Sequence, residues 1–412
     1  MTADNVWLLI SAALVIFMTP GLAFFYGGLV KAKSVVSMMM LSFGALALIS
    51  VLWVLYGYNM GQQGASGFSH IVGNPFSDFG LLDNITGKDG QYNIISVIFD
   101  GSFAIITVAL ISGAVADRAR FWPWMLFAGL WGTIDYFVVK GWVWNADNGW
   151  IFNFGSTGVL DWAGGTAVHI NAGAAALALA LVLGRRKVGF SKEEAVPHNV
   201  PLVLIGVAIL WFGWFGFNVG YNGGSDAGAG LIALNTLVAP AAAMLGWIIV
   251  EKFKDGKSTA VGAASGIVAG LVAITPACAH LNPVWAIVLG ILAGVVCAFA
   301  IELKFRLGFD DSLDVVGIHM VGGFIGCWFL GFFAEYLPTG DGVTANHTGL
   351  FFGGNADQLV AQVVCSLAVG AFSFIVALVI GLAIEKTIGF RAKEEDELAG
   401  IDIQHETGYE LV

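Results

Sequence analysis

The chain has 412 residues, of which 58% are hydrophobic and 11% charged, with a net charge of −11. A soluble globular domain carries roughly 25% charged residues, so that class is excluded. A transmembrane β-barrel is excluded as well, because it would read as alternating segments of about ten residues.

Apolar runs instead recur at about 6–30, 36–60, 94–116, 121–139, 163–184, 199–219, 228–251, 259–277, 282–303, 315–336 and 359–386. Each is long enough to cross a hydrocarbon core of roughly 30 Å. The predicted fold is therefore all-α, a polytopic membrane protein of eleven transmembrane helices. The opening Met1-Thr-Ala-Asp-Asn5 has no basic n-region, and the first run is too long for a signal-peptide core, so no cleaved leader is expected. The chain has 56 glycines, and small residues let membrane helices approach closely. Stretches such as 173–180 and 262–270 read as packing faces, which suit a rigid, channel-like body. Cys278, Cys297, Cys327 and Cys365 stand singly, so no disulfide framework, metal site or cofactor is predicted.

Alternate loops and the C-terminal segment collect 16 of the 18 Lys and Arg residues, leaving Lys88 and Lys140 on the other side. Cations accumulate on the cytoplasmic face, which predicts an outside N-terminus and an inside C-terminus. Runs one to five (about 6–184) and six to ten (about 199–336) then form two halves of opposite orientation. The eleventh run, about 359–386, closes a membrane domain spanning 1–386. A polar segment, 387–412, follows and reads as ordered against something. The longer segments at about 61–93 and 337–358, rich in Gly, Asn and Asp, would rim an outer vestibule.

The last helix of each half carries a histidine in the same frame: Asp161-Trp-Ala-Gly-Gly-Thr-Ala-Val-His169 and Asp311-Ser-Leu-Asp-Val-Val-Gly-Ile-His319. Eight residues of helix rise about 12 Å. Starting from opposite faces, both histidines reach the midplane. An ionisable residue at that depth marks a functional site by default, and two in matching frames suggest a site where inverted halves meet. Burial disfavours the charged imidazole, so two neutral rings able to bond each other are expected.

Asp161 stands at a helix start, where a carboxylate caps free N–H groups. It can also favour a cation in an outer vestibule, and the two roles are compatible. Phe99 and Phe103 are four apart and share a helix face. Trp211-Phe-Gly-Trp214-Phe-Gly-Phe217-Asn-Val-Gly220 ends the sixth run. Such rings are ordinary at a membrane interface, yet beside a vestibule they offer π-faces to an ammonium-like cation or form an apolar gate. Trp144 and Trp150 are similar candidates.

Together these residues resemble the Amt/Mep/Rh ammonium transporters, with wording closer to the Amt branch. The resemblance covers essentially the whole chain: Phe24-Phe-Tyr-Gly-Gly28, Gly113-Ala-Val-Ala-Asp-Arg118, Asp161 through Gly173, Phe215-Gly-Phe-Asn218 and Phe309 through His319. It implies a multi-pass protein of a prokaryotic cytoplasmic membrane, a homotrimer with one narrow pore per subunit, and ammonium or ammonia as the ligand. It further implies that His169 and His319 line that pore and that Phe103 and Phe217 gate it. Phe99, Trp214 and Asp161 would surround the outer ammonium site. Trp144 is the favoured recruiting tryptophan, with Trp150 as the alternative. Where the family has a serine after Phe-Asn-x-Gly, this chain has Tyr221, which could block, reshape or relocate the outer site. Gly400, Asp402, His405 and Glu406 resemble the family's regulatory tail, which docks on neighbouring subunits and in many members meets a PII-type signal protein. No nucleic-acid partner is expected.

The resemblance implies that ammonium is collected outside, loses a proton and crosses as ammonia while the histidine pair carries the proton. An ammonium sensor of the same fold with little transport is the alternative, kept open by Tyr221. A membrane enzyme is disfavoured, since no Cys/His ligand cluster or His-Glu-x-x-His motif is present.

Overall fold

The computed structural model describes residues 2–62, 70–86, 90–187, 190–191, 196–222, 227–337 and 348–405. The described chain is helical, without named strands. Its long helices are α1 (Ala3–Leu29), α2 (Val35–Leu52), α3 (Gly90–Ile111), α4 (Phe121–Trp131), α5 (Asn171–Leu183), α6 (Val200–Val219), α7 (Ala227–Asp255), α8 (Ala260–Ile274), α9 (Pro283–Ala300), α10 (Val321–Phe333) and α11 (Ala356–Thr387). Among the described residues nine helical stretches are long and apolar enough to cross a membrane. The shorter α8 is apolar too, and α4 runs on through a π turn, Gly132–Tyr136, into a further helix, Phe137–Trp144.

That continuation corrects one expectation. Lys140 is no loop cation. It lies on the Phe137–Trp144 helix, 7% exposed, with Nζ 2.8 Å from Asp100 on α3. The partner carboxylate neutralises the ammonium, so the helix can extend past the point where a charge would otherwise end an apolar run.

Small residues set how closely the helices pack. A Cβ at Gly206 of α6 would lie 2.3 Å from the Phe25 backbone nitrogen of α1, and one at Gly294 of α9 would lie 2.1 Å from the Ala243 carbonyl of α7. Only glycine allows such backbone contact, as in tightly packed membrane bundles. The four cysteines are buried and unpaired.

Both histidine frames share a local geometry. Each histidine lies on a π turn, Gly165–Ile170 before α5 and Val316–Met320 before α10. Single π turns in helices frequently mark functional positions. Each turn is capped by the aspartate eight residues ahead of its histidine: Asp161 serves the first, and Asp311 accepts from the Val316 N–H at 2.6 Å.

The tail folds back on its own chain. The Arg120 N–H donates to the Phe390 carbonyl at 2.9 Å, and the Ala392 N–H donates to the Arg118 carbonyl at 2.7 Å. The Arg391 guanidinium bonds the Leu183 carbonyl and the Glu397 carboxylate. Past the short helix Glu394–Ala399, Gly400 takes φ +106°, and a Cβ there would lie 2.3 Å from Lys33 Cβ. Asp402 then caps the start of α2, accepting from the Val36 and Ser37 N–H groups at 3.2 and 2.6 Å. His405 sets its ring edge-on to Phe121, with centroids 5.1 Å apart. Glu406 lies outside the described residues.

Candidate functional site

The helix starts determine where the histidines sit. Both oxygens of the Asp161 carboxylate are used: Oδ1 accepts from the Gly164 and Gly165 N–H groups and Oδ2 from those of Thr166 and Ala167, at 2.5 to 3.1 Å. Gly164, at φ +115°, makes the left-handed bend into this cap. The π turn that follows aims His169 at His319, and the two Nδ1 atoms are 3.2 Å apart. A single proton therefore lies between them, one ring donating and the other accepting. His169 Nε2 has no partner among the described residues.

Around the pair is a narrow apolar cavity, lined by Met18, Leu22, Phe25, Ile106, Leu110, Val168, Leu210, Trp214, Phe217 and Val268 besides the two histidines. Its space suffices for about one water-sized molecule. Trp214 stacks on His169 at 5.5 Å, its indole N–H donating to Thr275 Oγ1 at 2.9 Å. Phe217 lies over His169 at 6.2 Å and stacks against Phe103 with centroids 4.1 Å apart. Both phenylalanines are nearly fully buried, at 0% and 1% exposure, and Phe217 lines the cavity.

Beyond Phe103 lies an aromatic cluster. Phe99 meets Phe103 at 5.0 Å, and Trp144 meets it edge-on at 6.0 Å. Tyr221 packs against all three, at 5.0 Å from Phe99, 5.6 Å from Phe103 and 5.9 Å from Trp144. The Trp144 indole donates to the Asp161 backbone carbonyl at 2.8 Å, tying the cluster to the His169 cap. Trp150 stands apart, packed on Trp142 and Phe154 and 37% exposed. Asp161 turns its carboxylate to the helix start, and its four N–H bonds take up both oxygens.

At the start of the His319 helix a wider cavity of mixed character is lined by Asp117, Arg186, Lys304, Ser312 and Asp314 together with apolar residues such as Leu29, Ile301 and Leu313. A buried ion cluster stands beside it. Arg186 chelates Asp310 at 3.0 Å and reaches Asp117 at 3.2 Å, while Arg118 approaches Asp310 at 3.6 Å and donates to Ser312 Oγ. Burial pushes the Asp310 carboxyl up, but Arg118 and then Arg186 outweigh it and hold it below the usual carboxylate range.

The histidines, Trp214, Phe217, Phe103, Phe99, Tyr221 and Trp144 thus form one continuous line, while Trp150 and the tail residues lie elsewhere. Sequence reasoning missed Thr275, Asp100 with Lys140, and Asp135. The last three carried a readable signal, being charges inside or beside apolar runs. Thr275 carried none.

Comparison with known proteins places the chain in a family. A profile described as the Ammonium Transporter Family matches residues 6–409. An ammonium transporter of Mycobacterium tuberculosis is 48% identical, covering 99% of this chain and 90% of that protein. Among solved structures, Candida albicans Mep2 superposes with a TM-score of 0.85 at 34% identity, covering 96% of this chain and 87% of that one. A structure titled Sensor Amt Protein gives 0.88 at 26% identity, with 98% of both chains covered. The family match over residues 6–409, with a relative 48% identical along 99% of the chain, makes this all-helical chain, with its hydrogen-bonded pair of buried histidines, a member of the ammonium transporter family.

Proposed function

We propose that the chain conducts ammonium nitrogen across the cytoplasmic membrane as ammonia, with the proton carried separately by the histidine pair. The observation that carries the reading is the Nδ1–Nδ1 contact of 3.2 Å inside an apolar cavity lined by Phe217, on which Phe103 packs. A full cation in that cavity would lose its hydration with no charged partner, at a cost of several kcal/mol. Ammonia is neutral and fits the space.

In this reading the N-terminus is outside, and the halves 6–184 and 199–336 are inverted repeats. The cluster of Phe99, Phe103, Trp144 and Tyr221 is the outer receiving site, offering π-faces to ammonium. Tyr221 reshapes that site, supplying a ring where the resemblance implies a hydroxyl. Asp161 acts by fixing the His169 turn and by its negative charge behind the cluster. Ammonium leaves its proton at the outer side, and Phe103 and Phe217 part to admit ammonia. One tautomeric exchange across the paired Nδ1 atoms passes the proton along. The subunits assemble as trimers, and the tail of 387–412 is the cytoplasmic regulatory segment where a PII-type protein would bind.

An ammonium pulse on proteoliposomes at two pH values tests the reading, which expects an inward current at both. A second reading, sensing with little transport, is favoured by the contacts Tyr221 makes across the receiving cluster. Ammonium binding without current would select it and reject conduction.

A further inference from the structure

The pore reading gives no task to the ion pair between Asp100 on α3 and Lys140 on the Phe137–Trp144 helix, which meet at 2.8 Å and are both largely buried. The Lys140 ammonium also lies 6.0 Å from the Trp53 ring centroid and 5.7 Å from that of Tyr58. A carboxylate and two π-faces thus hold the cation from several sides. Trp53 opens the π turn Trp53–Gly57 at the end of α2, and its indole N–H donates to the Val97 carbonyl of α3 at 2.9 Å. A Cβ at Gly101 would lie 2.7 Å from Trp53 Cδ1, so the indole rests directly on the α3 backbone. Phe137 braces the same indole, with centroids 5.4 Å apart.

Two residues advance a helix by about 200°, so Val97 and Gly101 turn away from the face that carries Phe99 and Phe103. This turn of α3 is therefore gripped on both sides, by Trp53 behind and by the aromatic cluster in front. Lys140 and Trp144 are four apart on one helix, and Asp100 and Phe103 three apart on the other, so each pair shares a face. The same two helices are joined twice, by the ion pair and by the edge contact of Trp144 on Phe103 at 6.0 Å. Because helices are stiff, fixing the first contact fixes the second. We propose that Asp100 and Lys140 are positioning residues for Phe103. With Trp53 behind them they set the rotation of α3 that holds the Phe103 ring against Phe217 and Trp144, and with it how large a molecule the gate admits. The proposal rests on the reading of Phe103 as a gate, but its first measurement needs no transport.

The test removes both charges together, Asp100→Asn with Lys140→Met, because a lone buried charge would unfold the chain whereas loss of a whole pair is often nearly neutral. Asp100→Leu with Lys140→Leu replaces it should that variant not fold. With 4-fluorophenylalanine in place of Phe103, the fluorine resonance of the full chain reports the ring directly. A single line is expected for the native pair and a displaced or split line for the double variant, whose melting temperature stays close to that of the native pair. Currents evoked by methylammonium chloride and by ammonium chloride, measured on proteoliposomes without the label, report the gate. Their ratio should rise more than about threefold in the double variant, the scale of one lost aromatic contact. Lys140→Arg keeps a cation on Asp100 and between the rings, and should hold the ratio within about twofold of wild type. An unchanged fluorine line in the folded double variant overturns the proposal, and so does a ratio that stays level or falls. A wild type that passes no current refutes conduction, while the fluorine line still decides whether the ion pair positions Phe103.

Discussion

Replacing Asp161 by asparagine separates its two possible roles. The carboxylate accepts four backbone N–H groups, two on each oxygen. Asparagine keeps one acceptor oxygen and turns an NH2 group toward the other two donors. Each orphaned buried donor costs about 1–3 kcal/mol. Two of them cost ~2–6 kcal/mol, a large part of the 5–15 kcal/mol that typically separates native from unfolded states. The His169 turn should loosen, so Asp161→Asn should melt well below wild type in detergent and pass little current at any ammonium concentration. If Asp161 served only as a distant negative charge, the variant would fold normally. Its response would then recover at higher ammonium. An unchanged melting temperature with a right-shifted, fully recoverable response would refute the capping argument.

Tyr221→Ser removes a ring from contact with Phe99, Phe103 and Trp144, each aromatic pair being worth about 0.5–1.5 kcal/mol. The substitution should lower stability modestly and change the ammonium concentration giving half-maximal current, while the maximal current persists. Loss of maximal current would move Tyr221 from the receiving site to the conduction path. Asp310→Asn strips the buried Arg118 and Arg186 of their shared carboxylate and should cost ~3–5 kcal/mol. The folded carboxyl lies below its ordinary value of about 3.9, so its contribution is complete above that value and is lost as pH falls through the lower folded one. Thermal melts should therefore show a difference between wild type and variant that is constant from about pH 5 to 8 and shrinks only in strong acid. A difference that disappears near neutrality would refute the ion cluster.

How much of this was legible in the sequence follows from what each feature costs in a membrane. Apolar runs of about 20 residues and two histidines in one repeated frame are strong signals, because hydrocarbon tolerates few alternatives. They gave the helical bundle and the residues at its centre. Phe99 and Phe103 were readable as sharing a face, but their stacking on Phe217 joins helices remote in the chain, and only the resemblance suggested it. The choice between Trp144 and Trp150 depended on how far α4 continued. That continuation carries the Asp100–Lys140 pair, which apolar periodicity does not report. The π turns were equally silent. They shift the hydrogen-bond register without changing composition, yet they aim His169 and His319 at each other.

The central claim is that the proton travels through the paired histidines while ammonia takes the apolar path. Ammonium-evoked currents from proteoliposomes holding wild type and the double variant His169→Ala, His319→Ala test it most directly. The account predicts that the double variant, although still folded, loses the proton-coupled current that wild type carries. An undiminished proton-coupled current in the double variant would contradict it.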